Sequence, residues 1–264
     1  MTMPVLFMIH GMWGAGWHWD RYREVFQARG FSCETPTLRY HDRDPHGIPD
    51  ERLGTTSLLD YAADLEEQIR RLGEAPVIIG HSMGGLLAQI LASRGLGRAL
   101  VLLTPAPPSG ILVFSPQVAA SFSSIFTKWG FWRKPVRQTF AEAARSIMGR
   151  LTPEEQQEGY GRFGYESGRA VFEIGLWYLD RKRASSVDET KVKCPVFIVG
   201  CLEDRITPAS MVRKIAGKYG ELATYREFPH NAHWVLGEPG WEVIAAAVAD
   251  WIEERCMHSG NDSG

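Results

Sequence analysis

The stretch Val77–Gln89 reads VIIGHSMGGLLAQ, and it leaves the chain few choices of fold. A β-branched apolar run stops at a serine ringed by Gly80, Gly84 and Gly85, and a leucine-rich helical pattern starts at once. A strand that turns straight into a helix has almost no room for side chains beside the apex residue. Gly80 and Gly84, two positions either side of Ser82, let neighbouring backbone pass without Cβ clashes, so the apex can be held in a strained conformation. The Ser82 hydroxyl then projects above the sheet edge, at a helix N-terminus, where unpaired N–H groups and the helix dipole favour developing negative charge. That is a position for a nucleophile.

The rest of the chain repeats this strand–helix alternation. Six β-rich runs, Pro4–His10, Phe31–Leu38, Pro76–Ser82, Ala99–Pro105, Pro195–Cys201 and Ala223–Pro229, alternate with helical patterns. The expected fold is α/β, with parallel βαβ units building a mostly parallel six-stranded sheet that has helices on both faces. Ser57–Gly73 sets Leu58, Tyr61, Leu65 and Ile69 at helical spacing and ends at a glycine, Gly240–Cys256 is the last helix, and the residues after it read as a frayed polar end.

One interval breaks the alternation. Between Pro105 and Pro195 no clear strand recurs, and helices are expected over 121–132, 138–151, 152–163 and 166–180, with Thr152 as an N-cap and Pro153 at the first helical position. This predicts a first core part over 1–111, an inserted helical cap over 112–186 and a second core part over 187–264. The cap's aromatics, among them Phe126, Trp129, Trp132 and Trp177, predict an apolar pocket as a group, although any one of them can equally be packing between cap and core.

At 264 residues, 44% hydrophobic and 23% charged, the chain can bury a substantial core in one large α/β domain. Lys plus Arg number 29 against 31 Asp plus Glu, so the formal charge of −2 gives no electrostatic case for nucleic acid or an anionic membrane. The local run RKR at Arg181–Arg183 reads as solvated surface. No stretch approaches the ~20 apolar residues of a spanning helix, so no membrane insertion is expected. The opening MTMPVLFMI lacks a basic n-region and a cleavage site and reads as the first strand. Cys33, Cys194, Cys201 and Cys256 are widely spaced with no C-x-x-C pair, which indicates neither a zinc site nor a disulfide framework. A reducing, cytoplasmic setting is the expectation.

A serine hydroxyl is a poor nucleophile at neutral pH and requires a base within hydrogen-bond reach and an acid to orient that base. Downstream of Ser82, the loop after the fifth strand, VGCLEDRITP, carries Asp204, with Glu203 as its immediate competitor. The loop after the sixth strand, FPHNAHWVLGEPGWE, carries His230 and His233. His233 sits on the approach to the final helix and is the candidate base, while His230 lies nearer the strand end. His81 and His10 are expected to make structural hydrogen bonds. The charge of a tetrahedral intermediate calls for two backbone N–H donors. Met83, after the nucleophile, supplies one, and the loop after the first strand, HGMWGAGW, supplies the other at Met12, with Gly11 making the turn and Trp13 walling the site.

The motifs HGMWGAGWHW, GHSMGGLLAQ, GCLEDRITP and HNAHWVLGEP together resemble those of the α/β-hydrolase superfamily, over nearly the whole chain. Within it the chain is similar to the branch of small esterases and hydroxynitrile lyases. That resemblance implies the α/β-hydrolase fold with a helical cap inserted after the strand that follows the elbow, and catalysis with no metal or organic cofactor. It implies Ser82, Asp204 and His233 as a catalytic triad, Met12 and Met83 as oxyanion donors, and a small-molecule ester as substrate, cleaved through an acyl-enzyme. GCLED carries one residue more between glycine and aspartate than the commoner spacing, which keeps Glu203 in play. Lactonase, thioesterase and carbon–carbon hydrolase share the triad, and a ligand-binding protein on the same scaffold is the alternative of another class. Hydroxynitrile lyases of this branch need a cap lysine near the serine, for which the sequence offers Lys128 and Lys134.

Overall fold

The computed structural model describes residues 3–112 and 115–257; the polar tail expected after the last helix lies outside them. Six parallel strands, β1 (Val5–Ile9), β2 (Ser32–Glu34), β3 (Val77–His81), β4 (Ala99–Leu103), β7 (Val196–Cys201) and β8 (Ala223–Phe228), form one sheet in the order β2-β1-β3-β4-β7-β8. Residues of β3, β4 and β7 are buried throughout, as strands covered on both faces must be. Their side chains alternate between two cores. Ile78, Leu100, Leu102 and Ile198 pack in one, with α2 (Leu58–Arg71), α3 (Met83–Ser93) and α9 (Ala209–Tyr219). Ile79, Val101, Leu103 and Val199 pack in the other, with α1 (Asp20–Ala28) and α10 (Trp241–Met257).

The strand order places the site. From β1 the chain steps outward to β2, then returns to put β3 on the other side of β1, so the crossovers diverge between β1 and β3. Ligands bind outside the carboxyl ends of strands at such a switch point, and the loops bearing Met12 and Ser82 both leave the sheet there.

The interval between β4 and β7 is broken into shorter pieces than the spacing predicted. It holds α4 (Pro116–Ser121), α5 (Ser123–Phe126), β5 (Pro135–Val136), α6 (Phe140–Ser146), α7 (Pro153–Arg162), β6 (Glu166–Ser167) and α8 (Gly168–Gly175). The helix expected over 121–132 is interrupted at Phe122, which lies outside helical geometry, and at Gly130, which is left-handed. Thr152 does cap α7, in a capping box with Glu155, and Thr139 caps α6 in the same way with Glu142. The antiparallel pair β5–β6 has two residues per strand, too few for any periodicity to betray. β2 is likewise shorter than the run Phe31–Leu38: it is an edge strand paired only to β1, and Pro36 lies just beyond its end.

This interval is fastened to the core by buried carboxylates. Glu173 on α8 accepts from Leu58 N at 2.8 Å and from the Ser57 hydroxyl at 2.9 Å, and so caps α2 from outside. Glu166 accepts from Tyr61 Oη at 2.8 Å and pairs with His41 Nε2 at 3.1 Å. Ser167 Oγ donates to Thr56 O at 2.6 Å.

Candidate active site

Ser82 stands between β3 and α3 with φ 54° and ψ −121°, a conformation that costs an L-residue on the order of 1–3 kcal/mol. The surroundings hold it there. Ser82 N donates to Leu103 O at 3.1 Å, and Ser82 O accepts from Gly85 N at 2.9 Å and Ala106 N at 2.9 Å. The glycines are obligatory for space: a Cβ on Gly80 would lie 2.2 Å from Gly84 O, and one on Gly84 would lie 2.1 Å from Ile9 O.

His233 and Asp204 converge on this serine. His233 Nε2 is 3.0 Å from Ser82 Oγ, and His233 Nδ1 is 2.8 Å from Asp204 Oδ2. The carboxylate requires Nδ1 to carry the imidazole proton, which leaves the Nε2 lone pair facing the serine O–H. All three residues are buried. The two carboxylate candidates part here, because Glu203 is exposed and pairs with Arg150 at 2.8 Å. The two histidines part likewise, His230 being exposed on the turn before Asn231.

Asp204 is held by more than the imidazole. Its Oδ1 accepts from Ile206 N and Thr207 N, each at 2.8 Å, and its Oδ2 from Thr207 Oγ1 at 2.7 Å. Burial opposes its charge, but the facing His233 and the donors of Thr207 outweigh burial and hold the carboxyl below the usual aspartate range. Sequence reasoning missed Thr207; the signal was the DRITP turn, whose Thr hydroxyl can fold back on the aspartate three residues earlier. It also missed Glu238, which accepts from Ala232 N at 2.6 Å and so anchors the residue before His233.

The loop after β1 lies hard against the serine, since a Cβ on Gly11 would sit 3.0 Å from Ser82 Cβ. Met12 and Met83 both line the cavity beside Ser82. Met83 opens α3, where its N–H has no intrahelical acceptor. Trp13 is buried at φ 61° and donates from Nε1 to Val136 O at 3.3 Å. His81 Nε2 donates to the His233 carbonyl at 2.9 Å, and His10 donates from Nδ1 to Gly11 O at 2.7 Å while accepting from Leu38 N at 3.1 Å. Burial is the largest cause that pushes both rings down to about 3, so both are neutral at ordinary pH.

A cavity of about 330 Å³ opens from Ser82. Phe122, Phe126, Ile174, Trp177 and Met211 are among its walls, and no charged side chain lines it among the described residues. Of the expected pocket aromatics, Phe126 and Trp177 line this cavity, and Trp13 lines a smaller space of about 20 Å³ on the His233 side of the serine. Trp129 and Trp132 line neither: they meet each other edge to face at 5.2 Å, with Trp129 on the surface. Lys128 and Lys134 are also outside the cavity wall. Among the described residues no group of three or more His, Cys, Asp or Glu side chains is placed to hold a metal ion.

Comparison with known proteins agrees with this architecture. A sequence model of the alpha/beta hydrolase family matches residues 6–247. The solved structure of a pyrethroid hydrolase from Sphingobium faniae superposes with a TM-score of 0.73 at 17% identity, over 97% of this chain and 100% of that one. A monoacylglycerol lipase from Paleococcus ferrophilus gives 0.67 at 20% identity over 97% of each chain, and an Arabidopsis methylesterase 0.70 at 12% identity over 95% of this chain and 99% of that one. At these identities the likeness is one of fold. An sn-1-specific diacylglycerol lipase of Mus musculus is 32% identical over 93 residues, a stretch that takes in 34% of this chain and 28% of that relative's length.

Proposed function

We propose, from the premise that the chain belongs to the alpha/beta hydrolase family, that it is a serine hydrolase cleaving carboxylic esters with an apolar or aromatic group through an acyl-enzyme. The observation that carries this reading is the unbroken chain from Asp204 through His233 to Ser82, ending at an uncharged cavity. His233 Nε2 takes the Ser82 proton as the oxygen attacks the ester carbonyl, and Asp204 stabilises the imidazolium that results. The N–H groups of Met12 and Met83 meet the oxyanion, each worth roughly 3 kcal/mol of barrier. Collapse expels the alcohol with the proton from His233. Water then attacks the acyl group by the same route and restores Ser82.

In this reading residues 112–186 act as a cap over the two core parts, 1–111 and 187–264, and supply much of the apolar wall. The cavity's 330 Å³ suits a group of about ten heavy atoms at roughly 30 Å³ each. Relatives named as a methylesterase, a pyrethroid hydrolase and glyceride lipases support hydrolytic chemistry. A lyase reading has less behind it, because Lys128 and Lys134 lie outside the cavity wall.

The test is turnover of p-nitrophenyl esters of increasing acyl length by wild type, Ser82→Ala and Asp204→Asn. Repeated turnover by wild type is expected, with kcat about 10⁶-fold lower in Ser82→Ala and about 10⁴-fold lower in Asp204→Asn, as in other serine triads. A folded wild type inactive on every ester overturns the reading, and so does a Ser82→Ala variant that keeps its rate.

A further inference from the structure

Two short stretches of the β4–β7 interval carry bare aromatic side chains beside cations that nothing pairs. Trp129 is 87% exposed, Tyr178 59% and Leu179 58%. Lys128, Arg133 and Lys134 surround Trp129 in the chain, and Arg181, Lys182 and Arg183 follow Leu179; all six are exposed. Among the described residues none of the six side chains makes a hydrogen bond or an ion pair. Asp180, the acid in their midst, is buried and committed to Arg169 and to the backbone N–H groups of Lys182 and Ala184, so it does not neutralise the surface.

The two stretches adjoin at α8. The Phe126 ring lies 3.0 Å from where a Cβ on Gly175 would stand, and Trp132 meets Phe172 at 6.2 Å, so the first stretch packs along α8, which leads directly into the second. The cavity above Ser82 borders both stretches: Leu112, Phe126 and Trp177 line it, and Leu112 and Phe126 are also exposed to solvent. Isolated exposed apolar residues are ordinary. Several of them on adjoining stretches, interspersed with unpaired cations and next to residues that line a cavity, are not.

We propose that these two stretches dock the protein on an anionic lipid surface. Trp129, Tyr178 and Leu179 enter the interfacial layer, where amphipathic rings are favoured, and the six cations meet lipid headgroups, at about 1 kcal/mol each near an anionic membrane. The attachment is peripheral, because no helix among the described residues is long and apolar enough to cross a bilayer. The chain-wide charge of −2 hid this patch in the sequence and now serves orientation: the anionic surface attracts one face and repels the balance. Docked this way, the cavity mouth abuts the lipid, and apolar molecules dissolved there reach Ser82 without crossing water. The docking stands whether or not Ser82 cleaves esters.

The experiment is co-sedimentation of the full chain with vesicles of phosphatidylcholine alone and of phosphatidylcholine with an equal part of phosphatidylglycerol. Binding to the mixed vesicles only, weakening as salt shortens the Debye length, is expected. Arg181→Gln with Lys182→Gln should weaken it about 30-fold, at roughly 1 kcal/mol per cation, and Trp129→Ser should weaken it at unchanged charge, with far-UV circular dichroism showing both variants folded. Equal binding to both vesicle types, no binding to either, or folded variants that bind like wild type overturn the proposal. A dimer that Trp129→Ser dissolves, without vesicle binding, overturns it in favour of self-association.

Discussion

Acidification from about pH 8 to about pH 5 should remove about 4 kcal/mol of folding stability through His10 and His81 alone. Both rings are buried, and burial first, then the neighbouring His41 for His10 and His233 for His81, pushes each down to about 3 from an ordinary 6.5. Between those two values the unfolded chain binds a proton that the folded chain refuses, so stability rises with pH across that window and falls as acid is added. At about pH 5 an unfolded histidine is almost fully protonated, and the differential is RT ln(1 + 10^1.5), about 2 kcal/mol for each ring. The result is set by the unfolded value as long as the folded one lies well under the assay pH. His18, pushed down by burial and by His10, His81 and Arg162, acts in the same direction. His41 acts the other way: burial opposes its charge, but Glu166 raises it, and the stability it contributes is complete below 6.5 and lost as pH climbs through its folded value. Asp204, held low, matters only in stronger acid. Urea unfolding followed by tryptophan fluorescence at the two pH values, with matching m-values, measures the change. Against a typical total of roughly 5–15 kcal/mol, it is a large one. A loss under about 1 kcal/mol, or a gain, refutes the assignment of these rings as buried neutral groups.

Three further outcomes follow from the geometry. Gly84→Ala places a methyl 2.1 Å from Ile9 O and 2.5 Å from His10 O, both backbone, and should cost about 3 kcal/mol or more, visible as a lower thermal midpoint. Ile174→Phe fills part of the 330 Å³ cavity, and should move the preferred acyl chain shorter by roughly one carbon at about 30 Å³ each in the p-nitrophenyl series. Glu166→Gln leaves His41 buried without its counter-charge and should destabilise by about 3–5 kcal/mol in urea unfolding, while the Ser82–His233–Asp204 contacts, which Glu166 does not touch, stay in place.

The sheet was legible because a parallel strand buried on both faces must be written as a continuous apolar run, and the runs at 77–82, 99–105 and 195–201 are such strands. The elbow was legible because only glycine fits at 80 and 84, whatever else varies. The β4–β7 interval was harder. Its helices are short, its turns rest on single residues such as Phe122 and Gly130, and its aromatics split between cavity wall and surface, a choice made by packing partners far away in sequence. Trp129 and Trp177 look alike in the chain; what separates them is that Trp177 follows α8 onto the cavity rim while Trp129 precedes a left-handed glycine that carries it outward. Likewise Glu203 and Asp204 are neighbours in the chain, and only the Thr207 turn decides which one faces His233.

The order of strands in the sheet also has a meaning in time. β3 and β4 are made early, yet the strand that closes β4's outer edge begins only at Val196. At synthesis rates of about 5–20 residues per second, that edge waits on the order of ten seconds on the ribosome, an open template for mispairing. The polypeptide emerging meanwhile is the β4–β7 interval, whose Glu166, Ser167 and Glu173 already have their partners Tyr61, Thr56 and Ser57 outside the tunnel. Those contacts let the interval settle on the half-built sheet while β7 is still inside the tunnel and before β8 exists. The elbow around Ser82 is therefore shaped before either Asp204 or His233 can reach it.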